Sequence, residues 1–249
     1  MTEAWLHPDW PAPAGVHAVV VTRHAPGVSR APFGRCNLGS RSGDDPGHVA
    51  ANRAGLVAAL GLPSAPCWLH QVHGTTVHDA DAASDAVEPL ADAAVTRRAG
   101  VVLAILTADC LPVLFVSRDG SVVAAAHAGW RGLAAGVLEA TLGALRVPAD
   151  EVLCWLGPSV GKRSYEVGED VRAAFIADDP AVVDAFAETR RGHWNCDLAA
   201  LAVRRLQRAG VASIHGGGFD TWADSRFHSY RRDGSRSGRF ATLIWRDAD

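Results

Sequence analysis

The chain has 249 residues, with 24 basic and 27 acidic side chains and a formal net charge of −3. Hydrophobic residues make up 48% of it and charged residues 20%, which excludes a disordered chain. The missing basic excess argues against a nucleic-acid binder, and no run reaches the roughly 20 apolar residues of a membrane-spanning helix.

In chain order, the apolar run at 16–22 reads as a strand. After a loop rich in Gly, Arg and Ser, residues 46–60 carry Val49, Leu56, Val57 and Leu60 at near-helical spacing, with Gly61 as the stop. Residues 67–73 and 101–106 read as strands, and the acidic, Ala-rich stretch 79–94 as a surface excursion. Residues 111–117 and 121–126 flank Asp119-Gly120, a strong hairpin signal. A helix is expected at 132–145, a strand at 151–156, and helices at 168–177, 181–188 and 197–209, the last capped by Asp197. Strands at 211–216 and 239–245 close the chain. With no repeat and no linker longer than a loop, residues 1–249 read as a single domain, a layered α/β (α+β) fold with a mixed sheet.

The first residues lack both the basic and the apolar region of a signal peptide, and the five Cys include no CxxC pair. Reduced thiols in a cytoplasmic protein are the expectation.

The hairpin is the most informative piece. With Asp119 and Gly120 as its loop, opposed residues sum to 239, so Pro112 faces His127 and Cys110 shares the His127 face. Diagonal neighbours of this kind sit ~7–8 Å apart. Gly129 and an expected helix at Gly132 follow His127, offering free amides to a phosphate or carboxylate. Asp109 precedes Cys110 and is a candidate orienting group or general acid. In Leu69-His70-Gln71-Val72-His73-Gly74, His73 ends an apolar run beside a glycine. Two His and one Cys make a zinc set with a fourth position open, although the spacing matches no zinc finger. The same Cys110–His127 pair equally suits a thiol nucleophile and its base.

The remaining Cys, at 36, 67, 154 and 196, read as inert core residues. Softer candidates for substrate binding are Asn37 in a Gly-rich loop, Arg53 in the first helix, Gln71 beside His73, and Arg231 in an aromatic and basic segment at 227–234. Of the basic residues only Lys162 is Lys, so an Arg at any one position carries little information about bidentate geometry.

QVHG (71–74), ADAAVT (91–96), TADCLPVL (107–114), AAHAGWRG (125–132), GPSVG (157–161), YEVGEDV (165–171), SYRRDG (229–234) and SGR (237–239) together resemble the YfiH-like family. Its members have been labelled polyphenol oxidoreductase laccases and purine nucleoside phosphorylases. The likeness runs from Asn37-Leu38-Gly39 to the C-terminal strand. It implies an α/β/α-type fold similar to the catalytic domain of cytotoxic necrotizing factor, and zinc held by His73, Cys110 and His127. It also implies phosphate-dependent cleavage of adenosine, inosine and methylthioadenosine, with adenosine deamination as a side activity. Purine nucleosides and phosphate are then the partners, with neither nucleic acid nor membrane. Departures from the family pattern are Asp220-Thr221-Trp222, where relatives often carry Cys, Lys162-Arg163-Ser164 after GPSVG, and a run from Asp233 to Gly238 one residue longer than expected.

The alternatives are a Cys–His thiol hydrolase or amidase, for which peptidoglycan precursors are a substrate class attached to some family members, a copper-dependent polyphenol oxidase, and a non-enzymatic binding protein with structural zinc. Copper fares worst on the residues. The chain contains no His-x-His, and its one Met is the initiator, so the axial thioether of a blue-copper site is missing.

Overall fold

Residues 111–117 and 123–128 are apolar on both faces, and such strands must be covered on both sides. The structure, a computed structural model describing residues 3–82 and 88–247, shows how. A six-stranded sheet runs in the order β12 (Ser213–Gly216), β8 (Val152–Leu156), β6 (Leu111–Ser117), β7 (Val123–Ala128), β4 (Ala93–Thr96), β3 (Val77–Asp79). A four-stranded sheet runs β1 (Trp5–Leu6), β2 (Val16–Val21), β13 (Phe240–Arg246), β5 (Leu103–Thr107). A small third sheet orders β10 (Phe186–Arg190), β11 (His193–Cys196), β9 (Glu166–Gly168).

Every residue of β6 and β7 is buried, and alternate side chains enter different cores. Val113, Phe115, Ala124 and Ala126 pack against Leu138 and Leu142 of α3 (Val137–Leu145) and Leu201 and Leu206 of α5 (Leu198–Arg208). Leu114, Val116, Val123 and Ala125 pack against Leu103, Ile105, Phe240 and Ile244 of the four-stranded sheet. Behind that sheet, Val19, Val21 and Leu243 cover Leu56 of α1 (Pro46–Leu60). The expected layered α/β class with mixed strands is therefore present, with two stacked sheets between the helix layers. Among the described residues no helix is long and apolar enough to cross a membrane.

The expected bounds of α1 are met because both its ends are chemically marked. The Asp45 carboxylate accepts the Gly47 and His48 amides, and Gly61 closes the helix at φ 58°. Asp197 caps α5 through the Ala200 amide.

Five expectations need correction. Residues 67–73 form no strand, only isolated bridges Cys67–Leu103 and His70–Leu90. The Gln71 side chain pairs with both the N–H and C=O of Leu106, taking the place of a strand partner. The helix expected at 132–145 is two helices, α2 (Trp130–Ala135) and α3, broken where Gly136 adopts φ 98°. Residues 181–188 are a 3₁₀ turn (Pro180–Ala185) leading into β10, whose residues from Ala187 on are exposed. The hairpin loop holds four residues, 118–121, not two. Ser117 still faces Val122, and the 239 register stands with Pro112 opposite His127. Finally, the stretch 79–94 is not wholly surface, because Ala91, Asp92, Ala93 and Ala94 are buried; its residues 83–87 lie outside the described residues.

Candidate metal centre

The chain leaves the four-stranded sheet at Thr107 and enters the six-stranded sheet at Leu111. Residues 108–110 make that crossing, with Asp109 in the left-handed region at φ 90°. Cys110 thus stands at the shared end of two stacked sheets. His127 reaches the same end because β7 runs antiparallel to β6. His73 arrives from the connection before β3, itself at φ 63°.

One buried carboxylate organises both histidines. Asp92 Oδ1 accepts His127 Nδ1–H at 2.9 Å and the His73 amide at 2.8 Å. Oδ2 accepts the Gly74 amide at 2.7 Å, and the Val72 amide lies 3.2 Å from both oxygens. The His127 main-chain N–H donates to the Asp92 carbonyl at 2.7 Å. Because Nδ1 is engaged, His127 presents Nε2 as its free ligand atom.

The ligand atoms of His73, Cys110 and His127 lie within 4.8 Å of one another, and no other such group of ligands occurs among the described residues. Cys110 Sγ is 3.8 Å from His73 Nε2, and the two imidazoles meet edge to face with centroids 4.7 Å apart. Tetrahedral zinc places its nitrogen and sulfur ligands about 3.4–3.8 Å apart, so the three donors fit one such ion with slight closure. Glycine is required nearby: a Cβ on Gly129 would sit 2.6 Å from His73 Cδ2 and 3.1 Å from Cys110 Sγ.

The electrostatics single out one thiol of five. Burial pushes Cys36 and Cys196 up to about 12 and also raises Cys67 and Cys154. Burial acts upward on Cys110 too, but His127 and His73 outweigh it and draw the thiol down to about 6. Burial likewise opposes charge on His127, yet Cys110 and Asp92 push it up to about 9. Without metal, the pair favours thiolate and imidazolium. Asp92 stays below its ordinary value although burial acts against it, because His127 and the Gly74 and His73 amides hold its charge.

The other expected site residues are gathered unevenly. Asp109 is buried with both oxygens committed, Oδ1 to the Thr221 hydroxyl and Oδ2 to the Arg231 amide, each at 2.6 Å. It ties the 220–231 loop to the centre. Arg231 is exposed and lays its guanidinium 4.7 Å over the Tyr165 ring. Both line a cleft of about 350 Å³ with Trp130, Arg131, Glu166 and Asp170. Gln71 is held by Leu106 as described. Arg53 donates to the Leu38 carbonyl and Glu88 and stacks on Trp68 at 4.3 Å. Asn37 is fully buried, its amide donating to Ser42 and Asp44 and its Oδ1 accepting the Gly39 and Arg239 amides. His70 and His228 stand outside the ligand group. The anion cradle expected at Gly132 is filled by protein. Its helix starts at Trp130, and a Cβ on Gly132 would lie 2.9 Å from the Gly74 carbonyl. Two of the departures from the family pattern meet each other, since the Ser164 hydroxyl donates to Asp220 Oδ2 at 2.6 Å.

Sequence reasoning missed Asp92. Its acidic, Ala-rich surroundings suggested solvent, and the only signal was its place between alanines in ADAAVT. It also passed over Tyr165 and Arg239.

The family described as multi-copper polyphenol oxidoreductase laccase matches residues 17–247. A Xylella fastidiosa protein named purine nucleoside phosphorylase is 55% identical over 95% of both chains. The Escherichia coli purine nucleoside phosphorylase YfiH is 47% identical over 96% of this chain and 97% of its own. A crystal structure of a Neisseria meningitidis protein superposes with a TM-score of 0.94 at 44% identity, covering 99% of this chain and 100% of the other. YlmD from Geobacillus stearothermophilus gives 0.89 at 30%, covering 100% and 98%. On the match across almost its whole length and on these identities, the chain belongs to the YfiH-like, laccase-described family.

Proposed function

We propose that this protein is a zinc-dependent purine nucleoside phosphorylase acting on adenosine, inosine and methylthioadenosine, with adenosine deamination as a side activity. The observation that carries the reading is the convergence of His73, Cys110 and His127 with Asp92 behind both histidines. The names of the relatives supply the reaction class.

In the reaction, a phosphate oxygen forms a bond to the ribose C1′ as the C1′–N9 bond breaks. The bonding pair leaves with the purine, which takes up a proton, and ribose-1-phosphate remains. His73, Cys110 and His127 would hold zinc, which would supply a Lewis-acid charge. The protein's own groups do the rest. Asp92 keeps His127 in the tautomer that offers Nε2. Asp109 fixes the start of the Arg231 segment, and Tyr165, Trp130 and Arg231 give the cleft the aromatic and cationic surface a nucleoside and an anion require. The donor set of two imidazoles and one thiolate favours zinc over the copper in the family's description. On this reading the protein works in the cytoplasm on small molecules.

The test is zinc-loaded protein with adenosine and phosphate. Ribose-1-phosphate and adenine are expected from wild type, with at least about a 100-fold loss in Cys110→Ala. Absence of both products, or equal rates in the variant, overturns the reading.

One observation supports a second reading. Asp92, His127 and the lowered Cys110 thiol also form an acid–base–nucleophile line, as a thiol hydrolase or amidase acting on peptidoglycan precursors would need. Metal analysis and thiol labelling separate the two. Stoichiometric zinc that blocks alkylation of Cys110 favours the phosphorylase.

A further inference from the structure

Arg239 sits where the last strand meets the metal centre. With Phe240 opposite Thr107, the β13–β5 register carries Arg239 opposite Ala108, at the same sheet end as Cys110. Its guanidinium is half-buried. Nη1 donates to the Ser237 and Gly238 carbonyls at 2.8 and 2.9 Å, while Nε and Nη2 have no hydrogen bond among the described residues. It makes no ion pair there either, unlike Arg53, which is matched by Glu88. The groups whose negative charge acts on it are Cys110, Asp109 and Tyr230, and its guanidinium lies 6.0 Å from the Tyr230 ring centroid. Cys110 belongs to the candidate ligand group, and Asp109 has given both oxygens to other donors.

The surrounding chain is shaped to keep this side chain in place. Asn37 Oδ1 accepts the Arg239 amide at 2.8 Å and the Gly39 amide at 3.0 Å. A Cβ on Gly39 would lie 2.6 Å from Arg239 Cγ, so only glycine leaves room for the stem. A half-buried guanidinium whose Nε and Nη2 are not sealed from solvent, and which has no carboxylate partner, is open to an anion from outside the chain. Its forked N–H groups match a tetrahedral oxyanion.

We propose that Arg239, cradled by Asn37-Leu38-Gly39, is the residue that holds inorganic phosphate beside the metal ligands. This rests on the phosphorolysis reading for its purpose, and on geometry alone for the binding.

The test compares zinc-loaded wild type with Arg239→Gln and Arg239→Lys. In Arg239→Gln the KM for phosphate rises at least about tenfold while the KM for adenosine stays within about twofold, the loss expected for a hydrogen-bonded charge. Lysine, keeping charge without the fork, recovers part of it. Calorimetric titration with inorganic phosphate alone shows the same order. In wild type, phosphate slows phenylglyoxal modification of Arg239 and leaves exposed Arg118 unchanged, a measurement that holds even if the variants fail to fold. Unchanged phosphate KM and binding in a folded Arg239→Gln, or Arg239 modified equally fast with phosphate present, overturns the proposal. If wild type binds phosphate through Arg239 but forms no ribose-1-phosphate, the phosphorylase reading fails and the site stands.

Discussion

A single carboxylate, Asp92, sets the direction of two candidate metal ligands at once. It fixes the ring of His127 through Nδ1 and the backbone of His73 through its amide. Asp92→Asn replaces one acceptor oxygen with a donor, and zinc affinity measured against a competing chelator is expected to fall about 10–100-fold. The effect should exceed that of changing Asp81, which is bound to Thr96 and Arg97 well away from the ligands. His228 offers a second residue-scale prediction. It is fully buried, with Nε2 donating to the Cys36 carbonyl and Nδ1 unpartnered. Burial first, aided by Arg23 and Arg239, depresses it from 6.5 to about 3, with the hydrogen bond to the Cys36 carbonyl and Asp233 acting the other way. The unfolded chain therefore takes up a proton that the folded chain refuses. Stability is complete above pH 6.5 and declines as pH falls toward 3. Between pH 6.5 and 5 the cost is about 2 kcal/mol, on the order of 1.4 kcal/mol per pH unit. Urea unfolding at the two pH values checks it, and His228→Gln should flatten the difference.

At the scale of elements, what could be read from the sequence followed from how locally each element is determined. The helix Pro46–Leu60 has a cap at each end, and the hairpin register needed only the centre of its loop, between Asp119 and Gly120, so a four-residue loop left Pro112 opposite His127. The segment 67–73 had strand composition but met a side-chain amide from its own Gln71 where a backbone partner was expected, a tertiary fact with no local trace. Residues 180–190 switch from a 3₁₀ turn to a strand inside one weakly periodic run, which periodicity cannot divide. The convergence of Cys110 and His127 was legible because one hairpin joins them. Asp92 was not, because its value lies in contacts with residues 18 to 35 positions away. The turn after β7 also carries a prediction. Gly129→Ala places a methyl group against His73 and Cys110 and should lower zinc stoichiometry by more than half, with the far-ultraviolet dichroism unchanged.

For the whole molecule, the candidate metal centre lies where two stacked sheets exchange the chain. The four-stranded sheet delivers Thr107, the six-stranded sheet carries His127, and Cys110 lies on the bridge between them. On the zinc reading, the ion would add a tie across elements that already meet through the Asp92 hydrogen bonds and through apolar contact, such as Leu114 and Val116 against Ile105 and Ile244. Removing the metal with a chelator should lower the melting temperature, and excess zinc at about 100 times its dissociation constant should restore roughly 2.7 kcal/mol. Scanning calorimetry checks both. Leverage runs the other way as well. A clasp that spans two plates senses any slippage between them, so trimming Ile105 or Leu114, neither of them in the ligand group, should loosen the grip on zinc before it unfolds the protein.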